Sequence, residues 1–154
     1  MPAPTLPAPT ANLSNAMPGM WWLLSRGDWT KDGRQITEPM LGNDPIAIVC
    51  YSTTHFAAQF MKRDRKDINE DVSYISQNNT SAVGGYDAYF GTYVVDENTG
   101  MVAHTLIGSL ESSHIGKTFY RNLRVNDNKL ILQLETTTPK GEAVTRTLIW
   151  QRMN

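Results

Sequence analysis

The chain has 154 residues, 40% of them hydrophobic and 19% charged, the proportions of one soluble globular domain with one core. A formal net charge of −1 supplies no general field for collecting nucleic acid, so a polynucleotide would need a strong local basic patch. Cys50 is the single cysteine, which excludes an internal disulfide and the cysteine spacings of zinc sites. No basic-then-apolar leader and no membrane-length apolar run stands in the sequence, so a soluble, cytoplasmic protein without a membrane partner is expected.

Residues 1–17 hold four of the eight prolines, a composition with little to bury, and are expected to form a flexible tail ahead of a domain over 18–154. Met20 to Arg26 reads as the first strand and Trp29 to Gly33 as a turn. Ile46 to Tyr51, bounded by Asn43-Asp44-Pro45 and Ser52-Thr53-Thr54, reads as a buried strand, and Phe56, Ala58 and Phe60 alternate as a strand does. The run Lys62-Arg63-Asp64-Arg65-Lys66 is read as solvated, and residues 63–85, polar and rich in Asn, Ser and Gly, as a loop or lid. Strands follow near 86–95, 101–109, 117–125, 129–137 and 143–152, joined by the turn sequences Asp96 to Gly100, Asn126-Asp127-Asn128 and Pro139-Lys140-Gly141. Helical periodicity is not convincing anywhere. About eight strands joined mostly by tight hairpins predict an all-β fold, a closed up-and-down antiparallel barrel whose closure removes exposed edges.

In such a barrel the first and last strands are neighbours. Gly19-Met20-Trp21 near the start and Trp150-Gln151-Arg152 at the end then let a tryptophan of one strand stack beneath an arginine of the other, plugging one end and leaving the other open.

The alternation within strands assigns faces. Leu130, Leu132 and Leu134 face inward on 129–137. On 117–125 the apolar set Phe119, Leu123 and Val125 carries Arg121 inside, with Arg124 on the wetter face. On 101–109 the better inward set is Val102, His104, Leu106 and Gly108, and a loop centred on Ser112-Ser113 would set His104 opposite Arg121. On 86–95 two bulky faces compete, and Phe90 and Val94 are favoured as pocket wall; Gly91 marks a bend or a close approach. Leu148, Trp150 and Arg152 share a face. None of these inward faces carries an acidic residue.

The ordered series Gly19-x-Trp21, Ala88-Tyr89-Phe90-Gly91-Thr92-Tyr93, His104, Gly116, Arg121, Leu130 and Trp150-x-Arg152 resembles the bacterial and fungal lipocalin-like domain family over residues 18–154. The resemblance implies a small calyx-shaped barrel with a ligand cavity. It fades over 27–45 and 62–85, which include the mouth loops, and transfers little function.

An arginine inside an apolar barrel needs a complement, and an anionic oxygen of a ligand would supply one. His104 is therefore expected as acid/base and Arg121 as stabiliser of oxyanion or enolate charge. Trp21, Phe60, Tyr89, Phe90, Tyr93, Phe119 and Leu132 are expected to bind the substrate. The bland alternative is a structural network of arginine and backbone with His104 as a satisfied core residue. His55 and His114 read as structural or exposed, no metal spacing occurs, and Gly84-Gly85 lacks the features of a phosphate loop, so neither metal nor other cofactor is expected. The functional expectation is a barrel enclosing a small apolar or amphipathic organic molecule and promoting a cofactor-free isomerisation or cyclisation of a biosynthetic intermediate. A passive carrier or an interaction protein with a filled core are the alternatives.

Overall fold

The computed structural model describes residues 4–66 and 76–153. Eight antiparallel strands close into a barrel in the order β1 (Gly19–Thr30), β3 (Ile46–Tyr51), β4 (His55–Met61), β5 (Tyr86–Val95), β6 (Met101–Ser109), β7 (Thr118–Asn126), β8 (Lys129–Thr137) and β9 (Ala143–Met153), with β9 pairing back onto β1. A two-residue strand, β2 (Gln35–Ile36), pairs with the far end of β1. Each strand buries alternate side chains, as in His55–Met61, where Phe56, Ala58 and Phe60 are buried between exposed His55, Ala57 and Gln59. The closed up-and-down barrel expected from the hairpin spacing is therefore the observed fold.

β1 is longer than expected. It runs on to Thr30, so Trp29 belongs to the strand and the turn narrows to Lys31–Gly33. A register shift between Leu23 and Ser25 lets the strand bend, and it reverses the phase of the alternation: Trp21 and Leu23 are buried before it, Arg26 and Asp28 after it.

Trp21 lies opposite Arg152, whose guanidinium stacks on the indole at 4.1 Å from the ring centroid. Arg152 also donates to Pro18 O at 3.0 Å and Ala16 O at 2.7 Å. Gly19, with φ +141°, leaves room for this guanidinium; a Cβ there would stand 2.8 Å from Arg152 Nη1.

The flexible tail expected for residues 1–17 is corrected over residues 4–17. A short helix, α1 (Leu13–Ala16), precedes β1, and Leu13 and Met17 are fully buried beneath the barrel. The Glu97 carboxylate from the β5–β6 turn accepts from Leu13 N at 2.8 Å, and Trp21 Nε1 donates to Met17 O at 3.0 Å. Farther out, Thr10 Oγ1 accepts from Val125 N at 2.9 Å and Arg124 donates to Pro7 O at 2.8 Å. This packing buries Arg124, which the alternation had placed on the wet face. Two apolar side chains and the exposed hydrogen-bonding edge of the barrel floor hold a segment whose composition alone suggests none of this.

Candidate functional site

The upper half of the barrel encloses a cavity of about 60 Å³ accessible to the centre of a water molecule. At ~10–15 Å³ per water on that measure, it holds roughly four to six waters or one small organic molecule. Its wall is mostly aromatic and aliphatic, with Val49, Tyr51, Phe56, Phe60, Tyr89, Leu106, Phe119, Leu132, Leu148 and Trp150 around the barrel. Two segments fold over the mouth, one bringing Glu38, Met40 and Leu41 and the other Ser76, Asn79, Thr80 and Ala82. The loop expected over 63–85 thus includes a buried stretch at its end, while residues 67–75 lie outside the described residues.

Ionisable groups sit among these apolar surfaces. Arg146 grips Asp28 with two hydrogen bonds of 2.7 and 2.9 Å, both side chains buried. Arg26 pairs with Glu38 at 3.0 Å and donates to Gly42 O, while Glu38 also accepts from the backbone N–H groups of Met40 and Leu41. This second pair ties the 38–42 segment across the mouth. The expectation that no acid faces inward is corrected by Asp28, Glu38 and Asp87; the reversed phase of β1 beyond its bulge turns Asp28 inside.

Arg121 is the cavity cation that has no carboxylate within ion-pair distance among the described residues. Its Nη1 donates to the carbonyls of Asn78 and Tyr120 at 2.8 and 2.9 Å, and its Nη2 approaches Asn79 Oδ1 at 3.4 Å. Burial, followed by the repulsion of Arg146, brings its pKa down to about 10, so it remains a cation at neutral pH.

His104 is wedged edge-on against Phe56, with ring centroids 4.7 Å apart, and its Nε2 shares a hydrogen bond of 2.8 Å with Tyr51 Oη. Nδ1 makes no well-formed hydrogen bond. Burial, and secondarily the Arg121 charge, pushes the imidazole pKa down to about 3, so the ring is neutral at physiological pH. Burial likewise raises the Tyr51 phenol above its ordinary value.

Asp87 is a further group that sequence reasoning missed. It is buried on the inner face of β5 opposite Phe60; its Oδ2 accepts from Thr80 Oγ1 and its Oδ1 makes no well-formed hydrogen bond among the described residues. Burial raises its pKa to about 7, against the smaller opposing pulls of the Thr80 hydroxyl and the Ala88 backbone N–H. Burial and the neighbouring Asp87 together raise the Tyr89 phenol to about 12.

Of the expected site residues, His104, Arg121, Phe60, Tyr89, Phe119 and Leu132 line the cavity. His104 faces Phe119 across β6–β7 and Arg121 faces Val102, two residues from the expected register but on the same inward faces. Four expectations are corrected. Phe90 points outward and half-exposed, its ring lying where a Cβ of Gly108 would be. Val94, on the same face, is 71% exposed. Trp21 is in the barrel floor under Arg152, and Tyr93 packs beside Tyr51 with its hydroxyl on Ser52 O, so neither borders the cavity. Gly91 faces inward at a bulge, and a Cβ there would stand 1.9 Å from Thr105 O, so the close neighbour is the backbone of β6 and not the side chain expected there. His55 is exposed; His114 is buried against Phe119 in a 3₁₀ turn.

A family model described as a lipocalin-like domain matches residues 18–153. No curated protein matches the chain.

Proposed function

The chain belongs to the lipocalin-like domain family, and from that premise we propose that its barrel receives one small, largely apolar organic molecule whose oxygen-bearing end is held by Arg121. The observation that carries this reading is a buried guanidinium that, among the described residues, is satisfied by neutral oxygens and not by a carboxylate, on the wall of an aromatic cavity. A buried cation with only neutral partners favours any anionic or strongly accepting oxygen that enters. The ring of Tyr89, Phe60 and Trp150 supplies apolar area for the rest of the ligand, Phe60 stacking near Tyr89 and meeting Trp150 edge-on.

A cofactor-independent isomerisation or cyclisation is the reaction class that suits such a pocket. Its walls fix one ligand shape, and Arg121 is available to carry charge developing on a bound oxygen. His104 serves this chemistry as a neutral hydrogen-bonding group that orients the Tyr51 hydroxyl, because its pKa of about 3 makes it a poor proton acceptor near pH 7. A carrier would use the same pocket and return its ligand unchanged.

Calorimetric titration with 2-naphthoate and with 2-tetralone tests the binding reading. Wild-type protein is expected to bind both, and Arg121→Met to weaken the carboxylate by about 10- to 100-fold, the loss of one charged hydrogen-bond partner. Absence of binding to either compound, or equal binding by the variant, refutes the assigned role of Arg121.

A further inference from the structure

The cavity's buried charges are accounted for with one exception. Arg146 is held by Asp28 and Arg26 by Glu38, while Arg121 rests on carbonyl and amide oxygens. Asp87 belongs to no ion pair among the described residues. Its carboxyl group is anchored through Oδ2 to Thr80 of the mouth segment, and its Oδ1 is buried on the cavity wall with no well-formed hydrogen bond among the described residues. A carboxyl oxygen left unsatisfied in an apolar site destabilises the fold, and sites of chemistry are where such arrangements concentrate. Phe60 opposite and Tyr89 next on the same face make its surroundings dry. Arg26 and Arg121 act on it from across the cavity, yet burial dominates and holds its proton up to about pH 7. Near neutrality it exists both as acid and as base, the condition in which one group can take a proton and give it back.

We propose that Asp87 is the proton-transfer group of this cavity, and that its substrate is a small, largely apolar ketone with a C–H bond beside the carbonyl. This rests on the ligand-binding reading above and names the chemistry of the same site. Asp87 Oδ1 takes the proton from that carbon. The C–H bonding pair becomes the carbon–carbon double bond of an enolate as the carbonyl π pair moves onto oxygen, where the Arg121 cation faces the new charge. Return of the proton from Asp87 to a different carbon of a conjugated enolate shifts the double bond, and its return to the first carbon regenerates the ketone. No atom or electron is left over, and no co-reactant is required. Thr80 is a positioning residue in this scheme: its hydroxyl occupies Oδ2 and leaves Oδ1 to the ligand.

The test follows the exchange of the acidic C–H protons of 2-tetralone for deuterium in D₂O by ¹H NMR, with saturation transfer from protein to 2-tetralone recorded on the same samples. Wild-type protein is expected to hold the ketone and to accelerate exchange at least tenfold over buffer, with a protein-dependent rate that rises with pH through about 7 as Asp87 ionises. Asp87→Asn is expected to hold the ketone and return exchange to the buffer rate, and Asp87→Glu to restore part of it. Thr80→Val, which keeps the carboxyl but removes the hydrogen bond that holds its pKa down, is expected to raise the pH midpoint of the exchange rate and to slow exchange less than tenfold. Saturation transfer with exchange no faster in wild type than in Asp87→Asn overturns the proton-transfer role and leaves ligand binding standing. Absence of saturation transfer in wild type overturns the ketone assignment together with the binding reading.

Discussion

Asp87→Asn is expected to change how stability depends on pH. In the unfolded chain Asp87 titrates near 3.8 and in the folded barrel near 7. Between those values the folded state binds the extra proton, so stability falls as pH rises through that window. Integrated from pH 4.5 to pH 8, the Asp87 contribution amounts to a loss of about 3 kcal/mol. His104 acts in the opposite direction, because its pKa falls from 6.5 to about 3 on folding. The unfolded state binds its proton in that interval, and stability rises with pH up to 6.5. In the wild type these two slopes nearly cancel between pH 4.5 and 6.5. The Asn variant removes one of them and exposes the other, so its stability is expected to climb steeply with pH. Urea unfolding of both proteins at half-unit intervals from pH 4.5 to 8 measures this. The difference between variant and wild type is expected to grow by about 3 kcal/mol in favour of the variant toward high pH. A difference that stays constant within about 1 kcal/mol over that range refutes the raised pKa of Asp87 and the dry setting from which it follows.

Three further outcomes are expected. Arg152→Ala removes the stack on Trp21 and two donated hydrogen bonds to the Ala16 and Pro18 carbonyls; chemical denaturation is expected to show a loss of about 2–4 kcal/mol, with Arg152→Lys recovering less than half. Asp28→Asn leaves the Arg146 charge buried without its bidentate partner and is expected to cost about 3–5 kcal/mol, which a thermal melt reads as a large fall in Tm. Met17→Ala opens a void under the barrel floor at a fully buried side chain and is expected to cost about 2–5 kcal/mol while leaving calorimetric binding of 2-tetralone unchanged, because Met17 does not border the cavity.

The strands were legible wherever alternation was clean and turn chemistry bounded it. The spans 86–95, 101–109 and 129–137 match the observed elements, and the leucines of 129–137 face inward as read. The Trp21–Arg152 contact was legible for a different reason: closure makes the first and last strands neighbours whatever their exact register. Asp87 was hidden because both faces of its strand carry bulky residues, so parity could not be settled from Tyr89 and Phe90 alone. What decides it is Gly108 on the next strand, which offers the flat outer surface on which Phe90 lies. Arg26 and Asp28 escaped because a single extra residue between Leu23 and Ser25 shifts the count of two, and nothing in Leu-Leu-Ser announces a bulge. The docking of residues 4–17 depends on partners far along the chain, Glu97, Arg124 and Arg152, and local composition carries no trace of them.

Closure of β9 onto β1 also has a consequence for how the protein is made. Until residues 143–153 have left the ribosome, both β1 and β8 present an unpaired edge, and neither the Trp21 stack nor the Asp28–Arg146 pair has its second member. The β1 border therefore stays open from its own synthesis until β9 emerges, and β9 is the strand that zips the cylinder shut.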